Sequence, residues 1–165
     1  MPPPPPTTTL SGSELLTNGG FEGSASPWVG SGSGYFYIAD GDYPQAGSGY
    51  IYFGVNNSVS GPAYQQVTIP STATGTLTFW LNVTSSETTT TTQYDCLFVE
   101  VRNASGTPLS TLATYSNLNK GSVGVYTQRS LNVSAVKGQT ARIQFRSTTD
   151  SSLTTTFRVD STSLK

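Results

Sequence analysis

The feature that most constrains this chain is a series of short runs in which apolar and polar residues alternate. Residues 76–83, 97–101 and 141–145 each carry an apolar side chain at every odd position. Successive side chains of a β-strand point to opposite faces, so this period of two predicts strands with one buried face. No segment shows the sustained i, i+3, i+4 apolar stripe of an amphipathic helix.

Clusters of Gly, Ser, Asn and Pro separate these runs along the whole chain, as turns separate short strands. We therefore predict an all-β fold, an antiparallel β-sandwich of the jelly-roll type. The predicted strands cover residues 14–16, 35–39, 50–53, 63–69, 76–83, 95–102, 109–115, 126–133, 140–147 and 156–164.

The first residues have a different character from the rest. Residues 1–13 read MPPPPPTTTLSGS, which predicts an extended linker, or alternatively a ligand for a proline-binding domain. Residues 14–165 form the predicted domain. Because Met1 is followed at once by five prolines, any secretion signal is expected upstream in a parent protein. No apolar run approaches the ~20 residues of a membrane span.

Composition excludes several kinds of chemistry. The chain has no His and a single Cys, which excludes Ser–His–Asp and Cys–His catalysis and His-ligated zinc. A net charge of −1 argues against nucleic-acid binding. The 49 Ser and Thr residues, few lysines and lone Cys96 favour an extracellular bacterial domain, secreted as part of a larger protein.

Three motifs occur in an informative order: Asn-Gly-Gly-Phe-Glu at 18–22 with Trp28 nearby, Ala-Gly-Ser-Gly-Tyr at 46–50, and Phe-Arg-Val-Asp-Ser-Thr-Ser-Leu at 157–164. Together they resemble the galactose-binding-like jelly-roll domains, which include many carbohydrate-binding modules. Residues 43–164 are similar to accessory domains of secreted bacterial peptidases of the sedolisin/kumamolisin type. This resemblance implies a non-catalytic module that binds polysaccharide or cell-surface glycan and is linked to a catalytic domain upstream.

The resemblance also implies one structural Ca²⁺. In that superfamily the opening Glu and the closing Asp commonly bind calcium, and these positions are Glu22 and Asp160 here. Asn18 and Ser48 are the further ligands that it implies. Carboxylates mixed with turn carbonyls suit a hard cation with six to eight oxygen ligands. Ser161 stands where the family has a second acid, so the site has less negative charge here. The alternative is that no metal binds, in which case Glu22 caps a loop and Asp160 lies in a terminal turn.

Two other acidic groups are candidates for smaller roles. Glu87 and Asp95 flank the threonines at 88–92 and could reach one cation. Asp40 and Asp42 surround a glycine, a pattern typical of an Asx turn.

Aromatic side chains are the most plausible sugar contacts, because sugars dock their C–H faces on exposed rings. If Phe36 and Ile38 belong to the core, alternation directs Tyr35 and Tyr37 to solvent. Trp28 is included among the ligand candidates, although packing in the core is the role that the resemblance implies for it. The candidate ligand-binding residues are Trp28, Tyr35, Tyr37, Asp40, Asp42 and Tyr43.

Three functions remain open at this point. The first is the non-catalytic carbohydrate-binding module, and the second is a calcium-stabilised spacer with no glycan ligand. The third is a glycoside hydrolase with paired carboxylates, which requires two acids at a defined separation across a cleft. No motif among the nine acidic residues indicates such a pair, so we expect the domain to have no catalytic residues.

Overall fold

The computed structural model describes residues 13–165, so most of the predicted linker at 1–13 lies outside the described residues. Two short 3-10 helices, Asn117–Asn119 and Ser134–Val136, interrupt a chain made otherwise of strands and loops. The strands are β1 (Val29–Gly30), β2 (Tyr35–Ile38), β3 (Tyr50–Gly54), β4 (Ser60–Thr68), β5 (Thr76–Ser85), β6 (Cys96–Asn103), β7 (Pro108–Ser116), β8 (Thr127–Asn132), β9 (Thr140–Thr148) and β10 (Thr155–Leu164).

The strands form two five-stranded antiparallel sheets. The first sheet has the order β1-β4-β9-β6-β7, and the second has the order β2-β3-β10-β5-β8. Most connections between consecutive strands cross from one sheet to the other, and only β2–β3 and β6–β7 connect strands of the same sheet. The two sheets pack face to face as a sandwich. The predicted all-β sandwich fold is therefore confirmed.

The core lies between the sheets and is built from the alternating positions that the sequence marks. Leu77 and Phe79 of β5 and Ile143 and Phe145 of β9 are fully buried. The rings of Phe79 and Phe145 meet edge to face across the two sheets, with centroids 5.1 Å apart. Such an arrangement of aromatic rings is favourable in addition to the apolar area that it buries.

The structure differs from the prediction near the start of the domain. Residues 14–16 form no strand: Leu15 donates one backbone hydrogen bond to the carbonyl of Leu164, and Glu14 accepts from the amide of Leu164. The unpredicted β1 pairs Val29 with Tyr64 at the edge of the first sheet. Two residues are too short a run for an alternating pattern to show.

No helix within residues 13–165 has the length and apolar character needed to cross a membrane.

Candidate functional site

Asp160 lies in the middle of β10, where the register with β5 shifts between Asp160 and Ser163. Its carboxylate is completely buried and accepts three backbone hydrogen bonds. Oδ2 accepts from the amides of Gln45 (2.8 Å) and Ala46 (3.2 Å), and Oδ1 accepts from Ser161 (2.7 Å). Burial raises the pKa of Asp160, the three amides oppose that change, and the charge of Glu22 adds to it.

Glu22 holds the other side of the same loop. Its carboxylate accepts from the amides of Ser48 (3.0 Å to Oε2) and Gly49 (3.2 Å to Oε1). Asn18 in turn accepts from the amide of Glu22 through Oδ1, at 2.9 Å. Gly47 adopts a φ of +63°, and a Cβ built there would lie 2.2 Å from Glu22 Oε1, so any other residue would strain the backbone and displace this carboxylate.

Of the four residues predicted to bind calcium, Asp160 and Glu22 contact the loop of residues 45–49, which contains Ser48. Asn18 contacts Glu22. The groups that contact the two carboxylates are N–H donors, and Ser48 takes part through its amide. Calcium prefers a shell of six to eight oxygens. The observed N–H contacts are those expected of two acids that cap a loop, whereas a calcium shell requires oxygen ligands. Calcium at these four residues stays a prediction.

A cleft of about 240 Å³ opens on the outer face of the second sheet. We call it the tyrosine cleft, and its lining residues are Ile38, Asp42, Tyr43, Tyr50, Tyr52, Val55, Thr156 and Arg158. The guanidinium of Arg158 lies 5.5 Å from the centre of the Tyr43 ring, within the range of a cation–π contact. The Tyr126 hydroxyl donates to the Tyr43 carbonyl at 2.6 Å and holds this wall in place.

Of the predicted ligand residues, the cleft brings together Tyr43 and Asp42. Tyr43 is 40% exposed, so its ring is accessible to a ligand. Asp42 is exposed as well. Asp40 precedes them and is also exposed, but it does not line the tyrosine cleft.

The expectation that Tyr35 and Tyr37 face solvent is wrong. In the antiparallel pair β2–β3, Tyr35 lies opposite Phe53 and Tyr37 opposite Ile51, and both of these partners are fully buried. Directly paired residues share a face of the sheet, so both tyrosines pack against the core. Phe36 therefore lies on the outer face.

This reversal also shows a contact that the sequence interpretation missed. Phe36 stacks on Tyr52 at the edge of the tyrosine cleft, with ring centroids 5.1 Å apart and planes 13° apart. Ile38 lies opposite Tyr50 and lines the cleft itself. The period of two in β2 was visible in the sequence, but its assignment to faces depended on the pairing with β3.

Trp28 is a core residue and is not available to a ligand. It is 5% exposed, and its ring packs against those of Phe21 (5.2 Å) and Phe145 (6.2 Å). Its indole Nε1–H donates to the carbonyl of Asn18 at 3.1 Å. The packing role implied by the resemblance is confirmed, and the ligand-binding role is wrong.

A second acidic group, the carboxylate cluster, consists of Glu87, Asp95 and Asp150. One carboxylate oxygen from each lies within 4.8 Å of the others, so this buried group could hold a metal ion. Asp95 accepts from the amide of Asp150 at 2.9 Å and from the Thr155 hydroxyl at 2.5 Å. Burial raises the pKa of Glu87, and the charges of Asp150 and Asp95 raise it further, against the opposing effect of Lys120.

The sequence interpretation joined Glu87 to Asp95 but missed Asp150, which follows β9. Asp95 and Asp150 are 55 residues apart and meet only because β6 and β9 are neighbours in the first sheet. The cluster lies beside a second cavity, of about 350 Å³. Glu87, Thr88, Thr89, Tyr94, Asp150, Ser152 and Leu153 line it.

Comparison with known proteins gives matches only among solved structures; no protein-family model and no curated protein sequence matches this chain. The carbohydrate-binding module TmCBM61, solved in complex with beta-1,4-galactotriose, has a TM-score of 0.63 at 16% identity. The match covers 93% of this chain and 98% of that one. The CBM22-1 xylan-binding domain from Paenibacillus barcinonensis Xyn10C has a TM-score of 0.54 at 12% identity, over 96% and 97% of the two chains.

The K1 cleaved adhesin domain of Lys-gingipain from Porphyromonas gingivalis W83 is also similar. Its TM-score is 0.58 at 14% identity, with 85% of this chain and 90% of that chain covered. At these identities the likeness establishes the fold, a β-sandwich shared with carbohydrate-binding modules and adhesin domains.

Proposed function

We propose that this domain is a non-catalytic module that binds carbohydrate in the tyrosine cleft. The observation that carries the proposal is the lining of this cleft, where the exposed ring of Tyr43 and the half-buried ring of Tyr52 stand beside Asp42 and Arg158. Aromatic rings present apolar faces to the C–H groups of a sugar, while charged side chains bond its hydroxyls. A concave site that combines both types of group is suited to a short stretch of polysaccharide.

The fold supports this proposal independently of the cleft. Two similar sandwiches are described as a complex with galactotriose and as a xylan-binding domain. The architecture is therefore one on which sugar sites are built. Since fold alone does not determine function, the proposal depends on the residues of the tyrosine cleft.

The alternative function, glycoside hydrolysis, requires a pair of carboxyl groups, and the carboxylate cluster is the group of acids that could supply one. Retaining glycosidases hold two carboxyl groups about 5–5.5 Å apart, and inverting enzymes hold them about 6.5–9.5 Å apart. In the cluster, oxygens of three acids converge within 4.8 Å of one another. Convergence on one point suits a cation better than it suits two acids that flank a sugar ring, so we favour binding without catalysis.

The resemblance of residues 43–164 to peptidase accessory domains suggests the context in which the module acts. We propose that it belongs to a secreted bacterial enzyme, a peptidase, and that it holds this enzyme at glycan-bearing cell-surface or matrix material. Such tethering raises the effective concentration of the linked enzyme at its substrate. A calcium-stabilised spacer without a glycan ligand is the competing role.

The test is a glycan array followed by calorimetric titration of the best ligand. Tyr43→Ala should weaken binding by roughly tenfold or more, because it removes an exposed ring worth about 1.5 kcal/mol of apolar contact. Tyr64→Ala is the matched control: Tyr64 is on the first sheet, with the Arg142 guanidinium 4.3 Å from its ring centre. This control should bind as tightly as the unmodified domain.

Two results would count against the proposal. An array without any bound glycan would favour the spacer. Equal loss of binding in Tyr43→Ala and Tyr64→Ala would move the site away from the tyrosine cleft.

A further inference from the structure

The carboxylate cluster joins two loops at one end of the sandwich. Glu87 lies in the loop that links β5 of the second sheet to β6 of the first. Asp95 immediately precedes β6, and Asp150 lies in the loop between β9 and β10. Glu87 and Asp95 therefore lie at the two ends of one loop, and they meet Asp150 where this loop approaches the loop after β9.

The distances suit a single ion. Calcium binds oxygen at about 2.3–2.6 Å, so two ligands on opposite sides of the ion are about 5 Å apart. The three oxygens of the cluster lie within 4.8 Å of one another, which places all of them within reach of one coordination sphere.

Glu87 supplies a second, independent observation. The residue is 4% exposed, yet none of the residues from 14 to 165 donates a hydrogen bond to its carboxylate. Lys120, the nearby cation, donates instead to the backbone carbonyl of Glu87. A carboxylate that is nearly closed off from water, has no hydrogen-bond donor and faces two other acids is costly, so a cation bound between the three acids would stabilise it.

Glu100 shows how the same fold treats a buried glutamate that has protein partners. It is also 4% exposed, but Arg146 contacts its Oε1 at 2.9 Å and Arg102 contacts its Oε2 at 3.2 Å. These are the two salt bridges found in residues 13–165, and neither involves the carboxylate cluster. Two glutamates of equal burial therefore differ in that one is neutralised by guanidinium groups and the other is not.

From these contacts we infer that Glu87, Asp95 and Asp150 bind one Ca²⁺. The cluster offers oxygen ligands only, which favours a hard cation, and calcium accepts an irregular arrangement of ligands from different loops. The adjoining cavity of about 350 Å³ has room for the waters that complete the shell. The ion ties the loop after β5 to the loop after β9, and this role does not depend on carbohydrate binding.

The experiment is a calorimetric titration of the full chain with CaCl₂ after treatment with a chelator. The unmodified protein should bind calcium, and Glu87→Gln should weaken this binding by at least about tenfold, the loss typical even of groups that only support a ligand. Glu22→Gln is the matched control, because it removes a charge from the other predicted calcium site. It should leave this binding unchanged.

Thermal melting provides a second readout. Calcium should raise the melting temperature of the unmodified protein and of Glu22→Gln, since a ligand that binds only the folded state stabilises it. In chelator, Glu87→Gln should melt at or above the temperature of the unmodified protein, because the lost charge had no partner. Asp150→Asn serves as a second variant and should also weaken calcium binding while it keeps the acceptor for the Ser152 amide.

Three outcomes would overturn the inference. The first is that no calcium binds to the unmodified protein. The second is that binding is lost in Glu22→Gln and kept in Glu87→Gln, which would place the ion beside the 45–49 loop. The third is that Mg²⁺ or Mn²⁺ binds through Glu87 and Ca²⁺ does not, which would reject calcium as the ion.

Discussion

Two groups of acidic residues in this domain differ in what surrounds them. Asp160 and Glu22 accept hydrogen bonds from the amides of one loop, residues 45–49, which wraps around both carboxylates. In the carboxylate cluster, Glu87 has no such donor and faces two other acids. Carboxylates thus hold the 45–49 loop in the first group, whereas in the second group a bound cation would stabilise them. The two groups differ because backbone amides point at Asp160 and Glu22 but not at the carboxylate of Glu87.

The largest effect is expected at Asp160. Asp160→Asn keeps the shape but places an NH₂ group against at least one backbone N–H, in a fully buried position. It should lower the free energy of unfolding by about 3 kcal/mol, because buried donors lose their acceptor. Urea unfolding in chelator measures this loss. Asp150→Asn is the control and should cost far less, since Asp150 accepts from a single loop amide; equal losses would abolish the distinction between the two groups.

A smaller effect is expected at Gly47, which lies under Glu22. Gly47→Ala adds a Cβ 2.2 Å from Glu22 Oε1 at a φ of +63° and should cost about 2 kcal/mol from clash and backbone strain together. Gly138→Ala separates the two causes, because Gly138 has a φ of +79° with no atom within 4 Å of an added Cβ. Equal losses at both glycines in urea unfolding would mean that Glu22 gives way easily and holds the loop only weakly.

The smallest of these effects belongs to Glu22, which is exposed although it bonds two amides. Glu22→Gln should lower the free energy of unfolding by about 1 kcal/mol, the usual net value of a hydrogen bond. Hydrogen exchange should show the change locally, as faster exchange of the Ser48 and Gly49 amides. Unchanged exchange at these two amides would show that the loop does not need this carboxylate.

The sequence predicted the sandwich well because its signal is local and repeated. Apolar residues at every second position of β5, β6 and β9 decide which side of each strand is buried, and the turn residues between the strands are equally local. The strand predicted at residues 14–16 is not formed, and β1 was not predicted. Both differences have the same cause. At the ends and edges of a sheet the runs are too short to carry a pattern.

The candidate sites were harder to predict, and β2 shows why. All four of its residues are apolar or aromatic, so alternation divides them into two sets without saying which set is inside. The pairing of Tyr35 with Phe53 decides the question, and that partner is 18 positions away. The sequence proposed Tyr43 and Asp42 as ligand candidates, and both line the tyrosine cleft, whereas Arg158, which also lines it, belongs to a strand far along the chain.

The chain's own residues, read in order, establish an all-β domain, the identity of most core positions and the absence of histidine chemistry. These properties follow from composition and from a period that spans a few residues. The assembly of sites followed from folding: β10 brings Asp160 to the 45–49 loop and Arg158 to Tyr43, and the β6–β9 pairing brings Asp150 to Asp95. Sites of this kind depend on contacts between distant segments, which a local pattern does not encode.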